Sequence, residues 1–322
     1  RDLETIMLPI GLIYIATYLK NKFNHKVEVR IIDRLIDYTS SQDLLNILGK
    51  YDPDVVGLRG VSMSNGLFHK AAQIIKQSKK DTIVIGGGPY VTADLQEAIK
   101  DKNIDYFVAG EGEVTFSEII EKLLNNQPPL NVQGVAYRKN KKIFMTPPRH
   151  FIEDLDSLPY PDYNFISVDK YSKFFNYGFH KRKQGVILTS RGCPFHCIYC
   201  HNIFGKGFRM RSAENVFGEI ESLYKNFKIR DFHIIDDNFG LDYQRAMKIF
   251  DLIINSDIKI NIYLGNGLRG DNIDHTFIDK MVKAGVILVV LPIETASPRL
   301  QKFIKKNINL ETLTSNFTQT WF

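Results

Sequence analysis

The chain has 322 residues, 44% of them hydrophobic, with 42 Lys and Arg against 36 Asp and Glu, and three cysteines. A net charge of +6 does not call for nucleic acid as a partner, and neither a signal peptide nor a membrane span is evident. An odd, closely spaced set of cysteines excludes a disulfide framework and implies free thiols in a reducing cytoplasm. The length suits two domains, each with its own core.

In chain order, residues 9–20 predict an apolar helix too short to cross a bilayer. A strand is expected over 27–33, a helix near 41–48, and a strand over 55–58 that leads into Ser62-Met63-Ser64. A strand over 82–85 runs into Gly86-Gly87-Gly88-Pro89, and one over 106–109 precedes Gly110-Glu111-Gly112-Glu113 and a helix to residue 124. This alternation makes an open α/β parallel sheet of Rossmann or flavodoxin type. Its ligand should lie outside the carboxyl ends of the strands, where Ser62, Ser64, Gly86, Gly87 and Gly88 gather. Missing side chains there let a large flat ligand or its nucleotide tail approach the backbone. The glycines lack the G-x-G-x-x-G spacing of a dinucleotide site, and plain tight turns remain the other reading.

Residues 128–184 differ from both flanks, with Pro128, Pro129, Pro147, Pro148, Pro159 and Pro161. Segments 135–137 and 142–145 are expected to pair as a hairpin around Asn140-Lys141. Residues 155–162 read as an ordered connector over the domain interface. Phe174, Phe175, Tyr177 and Phe179 form an aromatic patch assigned to packing.

Beyond the connector, a buried strand over 185–190 ends in Arg191-Gly192, just before Cys193-x-x-x-Cys197-x-x-Cys200. Three thiolates can hold three irons of a 4Fe-4S cluster and leave the fourth with an open position, whereas an electron-transfer ferredoxin would bring a fourth cysteine. A Cys3His zinc site using His196 or His201 is the alternative, although zinc ligands usually come from two separated pairs. Strands over 231–237, 258–264 and 286–294 alternate with helices over 212–227, 242–255, 274–284 and 298–306. Strand then helix, four times over, gives a parallel βα barrel segment whose reactive groups collect at the carboxyl ends of the strands. Asp236, Asp237, Asn266 and Glu294 end those strands and share that rim with the cysteine loop.

Cys-x-x-x-Cys-x-Tyr199-Cys after a first barrel strand resembles the radical S-adenosylmethionine superfamily. The resemblance implies an incomplete (β/α)6 partial barrel over 185–322. It also implies a 4Fe-4S cluster on Cys193, Cys197 and Cys200 whose open iron chelates S-adenosylmethionine, and cleavage of that molecule to methionine and a 5′-deoxyadenosyl radical. It places Asp236 and Asp237 near the methionine amino end, Asn266 and Arg269 beside the cofactor, with Arg269 able to pair with its carboxylate, and Glu294 at the ribose. Tyr199 matches the aromatic that often precedes the last cysteine.

Residues 6–125 are similar to the cobalamin-binding domain attached to many radical enzymes, in the Pro9-Ile10-Gly11 entry, the serine segment, the glycine turn and the Gly110-Glu111 run. No D-x-H-x-x-G segment is present, and Val108 stands where its histidine would be sought. The lower axial ligand of a bound cobalamin is therefore not expected to be histidine, which suits methyl transfer. The boundaries read from all this are 1–127 for the cobalamin-type domain, 128–184 for the connector and 185–322 for the barrel.

The expected reaction is methyl transfer to an unactivated carbon of a small-molecule or natural-product substrate, with flavodoxin or ferredoxin as electron donor. A radical cyclase or rearrangement enzyme is the runner-up within enzymes, and a non-catalytic cobalamin- or metal-binding fragment the other class. The family pattern also implies an opening strand before the first one here and two more barrel strands beyond residue 322. The chain is accordingly expected to be a fragment of a longer enzyme or a disrupted gene product, with its own activity in doubt.

Overall fold

Apolar residues recur along this chain at two periods, and each period has produced its own element. A computed structural model describes residues 6–174 and 180–318; Phe175, Tyr177 and Phe179 lie outside the described residues. The chain divides into two units, Pro9–Ile152 with Pro159–Ile166, and Arg1–Leu8 with Glu153–Leu158 and Ser167–Phe322.

The amino-terminal unit begins with α1 (Ile10–Phe23), which buries Ile13, Ala16, Leu19 and Phe23. Helix α2 (Ser41–Tyr51) starts at a capping box: Ser40 accepts from the Asp43 N–H, and the Asp43 carboxylate accepts from the Ser40 N–H. The remaining elements are β1 (Val55–Arg59), α3 (Asn65–Ser78), β2 (Ile83–Gly87), α4 (Pro89–Ala93), α5 (Leu95–Ala98), β3 (Tyr106–Val108), α6 (Gly112–Leu124), β4 (Val135–Lys139) and β5 (Lys142–Met145). Strands β1, β2 and β3 pair in parallel, then β4 and β5 antiparallel, in spatial order β1-β2-β3-β4-β5. Val84 and Ile85 on β2 are buried between a layer built on Phe68, Ile75 and Phe107 and one built on Ile119 and Val135.

Two expectations change here. Residues 27–33 are extended but form no strand ladder. Their alternation records burial rather than pairing, because Val27 and Val29 pack on Leu19, Phe23 and Ile120. The hairpin placed in a connector instead belongs to the first sheet, with Tyr106 opposite Tyr137 and Tyr137 stacked on Phe144 at 5.4 Å. Asn140 and Lys141 take φ of 52° and 64°, the positive pair that a two-residue hairpin turn needs to match strand twist. The 155–162 stretch divides between the units: Asp156 accepts from Ser212 N–H at 2.9 Å in one, and Asp162 meets Lys20 at 2.7 Å in the other.

The carboxyl-terminal unit comprises α7 (Val168–Tyr171), β6 (Gln184–Ile187), β7 (Ser190–Arg191), β8 (Arg209–Met210), α8 (Ala213–Phe227), β9 (Asp231–Ile234), α9 (Tyr243–Ile254), β10 (Asn261–Leu264), α10 (His275–Lys283), β11 (Val286–Val289), α11 (Pro298–Phe303) and α12 (Leu310–Thr318). Strands β6, β9, β10 and β11 form one parallel sheet in spatial order β11-β10-β9-β6. Every residue of β6 and β9 is buried, as expected of a parallel sheet. Ser212, Asp242 and Asp274 cap α8, α9 and α10 by accepting from the N–H three residues on. Helix α11 stops at Phe303, earlier than the sequence pattern predicts, because Lys305 and Asn307 adopt φ of 55° and 50°. Among the described residues, no helix is long and apolar enough to cross a membrane.

Candidate functional site

The cysteines sit on a loop whose base is closed by the two-stranded ribbon β7–β8, in which Ser190 pairs with Met210 and Arg191 with Arg209. Gly192 has φ +85°, and a Cβ there would run into the Gly207 carbonyl oxygen. Only glycine lets the chain leave the ribbon at that point. Within the loop, Lys206 Nζ donates to Phe195 O at 2.7 Å, Ile198 N–H to Ile304 O at 3.1 Å, and Cys200 N–H to Cys197 O at 3.2 Å.

All three thiols are free; Cys193 and Cys197 are half-buried and Cys200 is exposed. Burial is the main reason that the Cys193 and Cys200 thiols are held above their usual range, and the Asp237 carboxylate adds to it. A metal bound here must therefore supply positive charge to draw out the thiolates. Three thiolates on one loop fit the donor set of an iron–sulfur cluster with one open iron. Among the described residues, no three His, Cys, Asp or Glu side chains are gathered closely enough for a single ion. His196 is exposed, and His201 Nε2 lies 3.3 Å from Asp237, which raises the imidazole pKa.

The rim residues divide into two groups. Asp237 faces the cysteine loop. Asn266 is exposed and donates to Ile235 O at 2.7 Å. Glu294 meets the buried Lys306 ammonium at 3.5 Å, and the same ammonium donates to Tyr199 OH at 3.1 Å. Asp237, Asn266 and Glu294 follow the carboxyl ends of β9, β10 and β11, and the cysteine loop follows β6 and β7.

Asp236 and Arg269 are used differently from expectation. Asp236 is sealed inside, accepting from the Thr189 N–H at 2.6 Å and from the Thr189 and Ser190 hydroxyls, with Arg245 at 3.8 Å. It ties the start of the ribbon to the end of β9 and leaves no face for an ammonium. Burial raises its carboxyl pKa, with Arg245 pulling the other way. Arg269 spends its donors on Lys306 O at 2.8 Å, Asn307 O at 2.7 Å and Asp271, and its guanidinium stacks over the Phe195 ring at 4.1 Å. It braces the loop; a carboxylate partner is already in place. Thr189, Arg245, Gln301 and Lys306 were missed by the sequence reading, and no local signal marks them, since each sits in an ordinary strand end or helix pattern.

At the carboxyl ends of the amino-terminal sheet, Ser62 is exposed, Ser64 donates to Val61 O at 3.4 Å, and Met63 between them is 100% exposed. Gly86 is there for packing: a Cβ would sit 2.8 Å from Phe68 Cζ. Gly88, at φ +87°, would meet Arg59 Cγ at 2.8 Å. Gly87 and Gly110 face more open space, with no atom within 4 Å of a Cβ at Gly110. These two, with the exposed Ser62 and Met63, are the less crowded part of the rim. Glu111 turns inward and accepts from the Ile152 N–H at 2.7 Å, a structural contact in place of the expected ligand contact. His69, on α3, bridges Asp101 at 2.7 Å and Tyr90 OH at 3.0 Å, fixing α3 to the helix after the glycine turn.

Comparison with known proteins adds a second line. Residues 1–120 match the B12 binding domain family, and residues 187–317 match the Radical SAM superfamily. An uncharacterized methyltransferase of Pyrococcus horikoshii is 33% identical over 315 residues, covering 96% of this chain and 65% of that protein. The cytidylyl-2-hydroxyethylphosphonate methyltransferase of Streptomyces wedmorensis is 26% identical over 97% of this chain and 66% of its own length. The chain thus spans just under two thirds of these relatives. Among solved structures, the cobalamin-dependent S-adenosylmethionine radical enzyme OxsB, with aqua-cobalamin and S-adenosylmethionine bound, superposes with a TM-score of 0.81 at 18% identity. That match covers 96% of this chain and 44% of OxsB. The radical S-adenosylmethionine methyltransferase TsrM of Kitasatospora setae gives 0.77 at 18% identity, over 94% of this chain and 59% of TsrM. The chain thus carries a B12-binding domain followed by a radical SAM domain, with the cysteine loop just inside the second.

Proposed function

We propose that the chain is the cofactor-binding part of a cobalamin-dependent radical S-adenosylmethionine methyltransferase. The observation that carries this reading is the ribbon-closed loop presenting three free thiols beside Asp237 on the rim of a parallel sheet. Cys193, Cys197 and Cys200 would hold three irons of a 4Fe-4S cluster and leave one open to the amino and carboxylate groups of S-adenosylmethionine. When bound, that cluster supplies the electron that splits the sulfonium carbon–sulfur bond, and cobalamin supplies the methyl group.

The protein's part is positioning. Asp237, beside the cysteine loop, would accept from an ammonium. Glu294 and Tyr199 offer oxygen atoms to the adenosyl part. The amino-terminal rim, with Ser62, Met63, Gly87 and Gly110, would take the corrin face, and His69 is held by Asp101 and Tyr90. The acceptor is a small molecule, and flavodoxin or ferredoxin is the expected reductant in the cytoplasm.

The test is anaerobic reconstitution with iron, sulfide and hydroxocobalamin, followed by electron paramagnetic resonance of the reduced protein. A reduced-cluster signal that changes on adding S-adenosylmethionine, together with retained cobalamin, supports the proposal. A colourless protein that takes up zinc alone overturns it.

A further inference from the structure

The segment from residue 291 to 308 contains an unusual concentration of constraint around one side chain. Glu294 has φ +65°, a backbone region that non-glycine residues adopt at a cost and that clusters at ligand sites. The buried Gln301 holds that conformation from both sides: its Nε2 donates to Ile293 O at 2.8 Å and Thr295 O at 2.7 Å, the carbonyls flanking Glu294. The Gln301 Oε1 accepts from the Ile308 N–H at 3.3 Å, tying in the turn after α11.

That turn has left-handed residues on each side of Lys306, which point the lysine inward, and Arg269 secures it by donating to Lys306 O and Asn307 O. Lys306 is accordingly buried, its side chain 10% exposed. Its ammonium spans Tyr199 OH and the Glu294 carboxylate. Tyr199 and Glu294 are themselves left open, with Tyr199 53% exposed and the Glu294 side chain 41% exposed. A lysine is seldom buried without a purpose that repays its desolvation. Here it links two exposed polar groups that come from distant parts of the chain, one of them next to a cluster cysteine.

We propose that Lys306 and Gln301 are positioning residues for nucleoside recognition: Gln301 fixes the strained Glu294 backbone, and Lys306 holds the Glu294 carboxylate and the Tyr199 phenol together for the hydroxyl-bearing sugar of S-adenosylmethionine. The inference rests on the functional reading above and deepens it. The cysteines hold the metal without Lys306, so metal content and cofactor affinity should separate in its variants.

The experiment compares the anaerobically reconstituted wild type with Lys306→Met, Lys306→Arg and Gln301→Ala, reading iron and sulfide content, the melting temperature, and the S-adenosylmethionine concentration that half-converts the reduced-cluster resonance. The expected result is wild-type iron content in all four proteins. Half-conversion in Lys306→Met should need about 10- to 100-fold more S-adenosylmethionine, the loss of one or two charge-assisted hydrogen bonds. Lys306→Arg should recover part of that loss, because it keeps the charge. Unchanged half-conversion in Lys306→Met, whatever its melting temperature, overturns the inference and leaves the functional reading standing. A wild type that yields no cluster, or a cluster blind to S-adenosylmethionine, overturns both.

Discussion

At the rim of the amino-terminal sheet, atoms are placed by steric contact. Phe68 fills the space under Gly86, Arg59 lies against Gly88, and the exposed side chains are those of Ser62 and Met63. At the rim of the carboxyl-terminal sheet, atoms are placed by buried ions and hydrogen bonds: Asp236 with Thr189, Ser190 and Arg245, Arg211 with Glu219, and Lys306 with Tyr199 and Glu294. Packing is non-directional and suits a broad flat surface, whereas hydrogen bonds are directional and fix individual atoms. The difference matches two kinds of guest, a large ring system on one rim and a compact cluster with a small chelating molecule on the other.

The comparison is most exposed at Asp236. Removing it as Asp236→Ala leaves the Arg245 guanidinium buried with its principal counter-charge gone. A loss of about 3–5 kcal/mol is expected, measured as the shift in urea unfolding followed by circular dichroism. A loss below about 1 kcal/mol would mean that this rim is held by packing after all.

On the steric side, Gly86→Ala pushes a methyl into Phe68 and should cost about 1–3 kcal/mol. Combining it with Phe68→Leu should return a good part of that loss, and strictly additive effects in the double mutant would break the packing account.

A pH titration sharpens the contrast. His233 on β9 is buried and stacked on Tyr263 at 4.5 Å, and burial pushes its pKa down to about 4. An unfolded chain protonates this ring near 6.5, so the group's full contribution is present above that pH and drains away as pH falls toward 4. The loss amounts to about 3 kcal/mol. Comparing wild type with His233→Gln across that window isolates it, and parallel curves would show that the ring is not responsible.

The smallest effects serve as a control. Ser40→Ala and Ser212→Ala each remove a helix N-cap, one in each unit, and both should cost about 1 kcal/mol. Clearly unequal losses would show that the units differ in more than their rims.

The sequence made the main architecture readable, because hydrophobic periodicity and the cysteine spacing are local signals. It misread residues 27–33, since alternation reports which side is buried and carries no information about a neighbouring ladder. It assigned Glu111 and Asp236 to ligands because a carboxylate at a strand end looks the same whether it faces out or turns back to hold an N–H. The glycines at 86 and 88 read as ligand space, but their missing side chains are filled by Phe68 and Arg59, which lie far away in sequence. Lys306 had no signal at all: in a Lys-Lys pair after a polar helix it looks solvated. Only the left-handed residues on either side turn it inward.

The ribbon that closes the cysteine loop divides the work of assembling a metal centre. The Ser190–Met210 and Arg191–Arg209 pairs bring the two ends of the loop together, which removes most of the chain entropy that closing it would cost. The three thiols between those ends are not gathered into a single-ion site, so drawing them inward is the part left to whatever they bind.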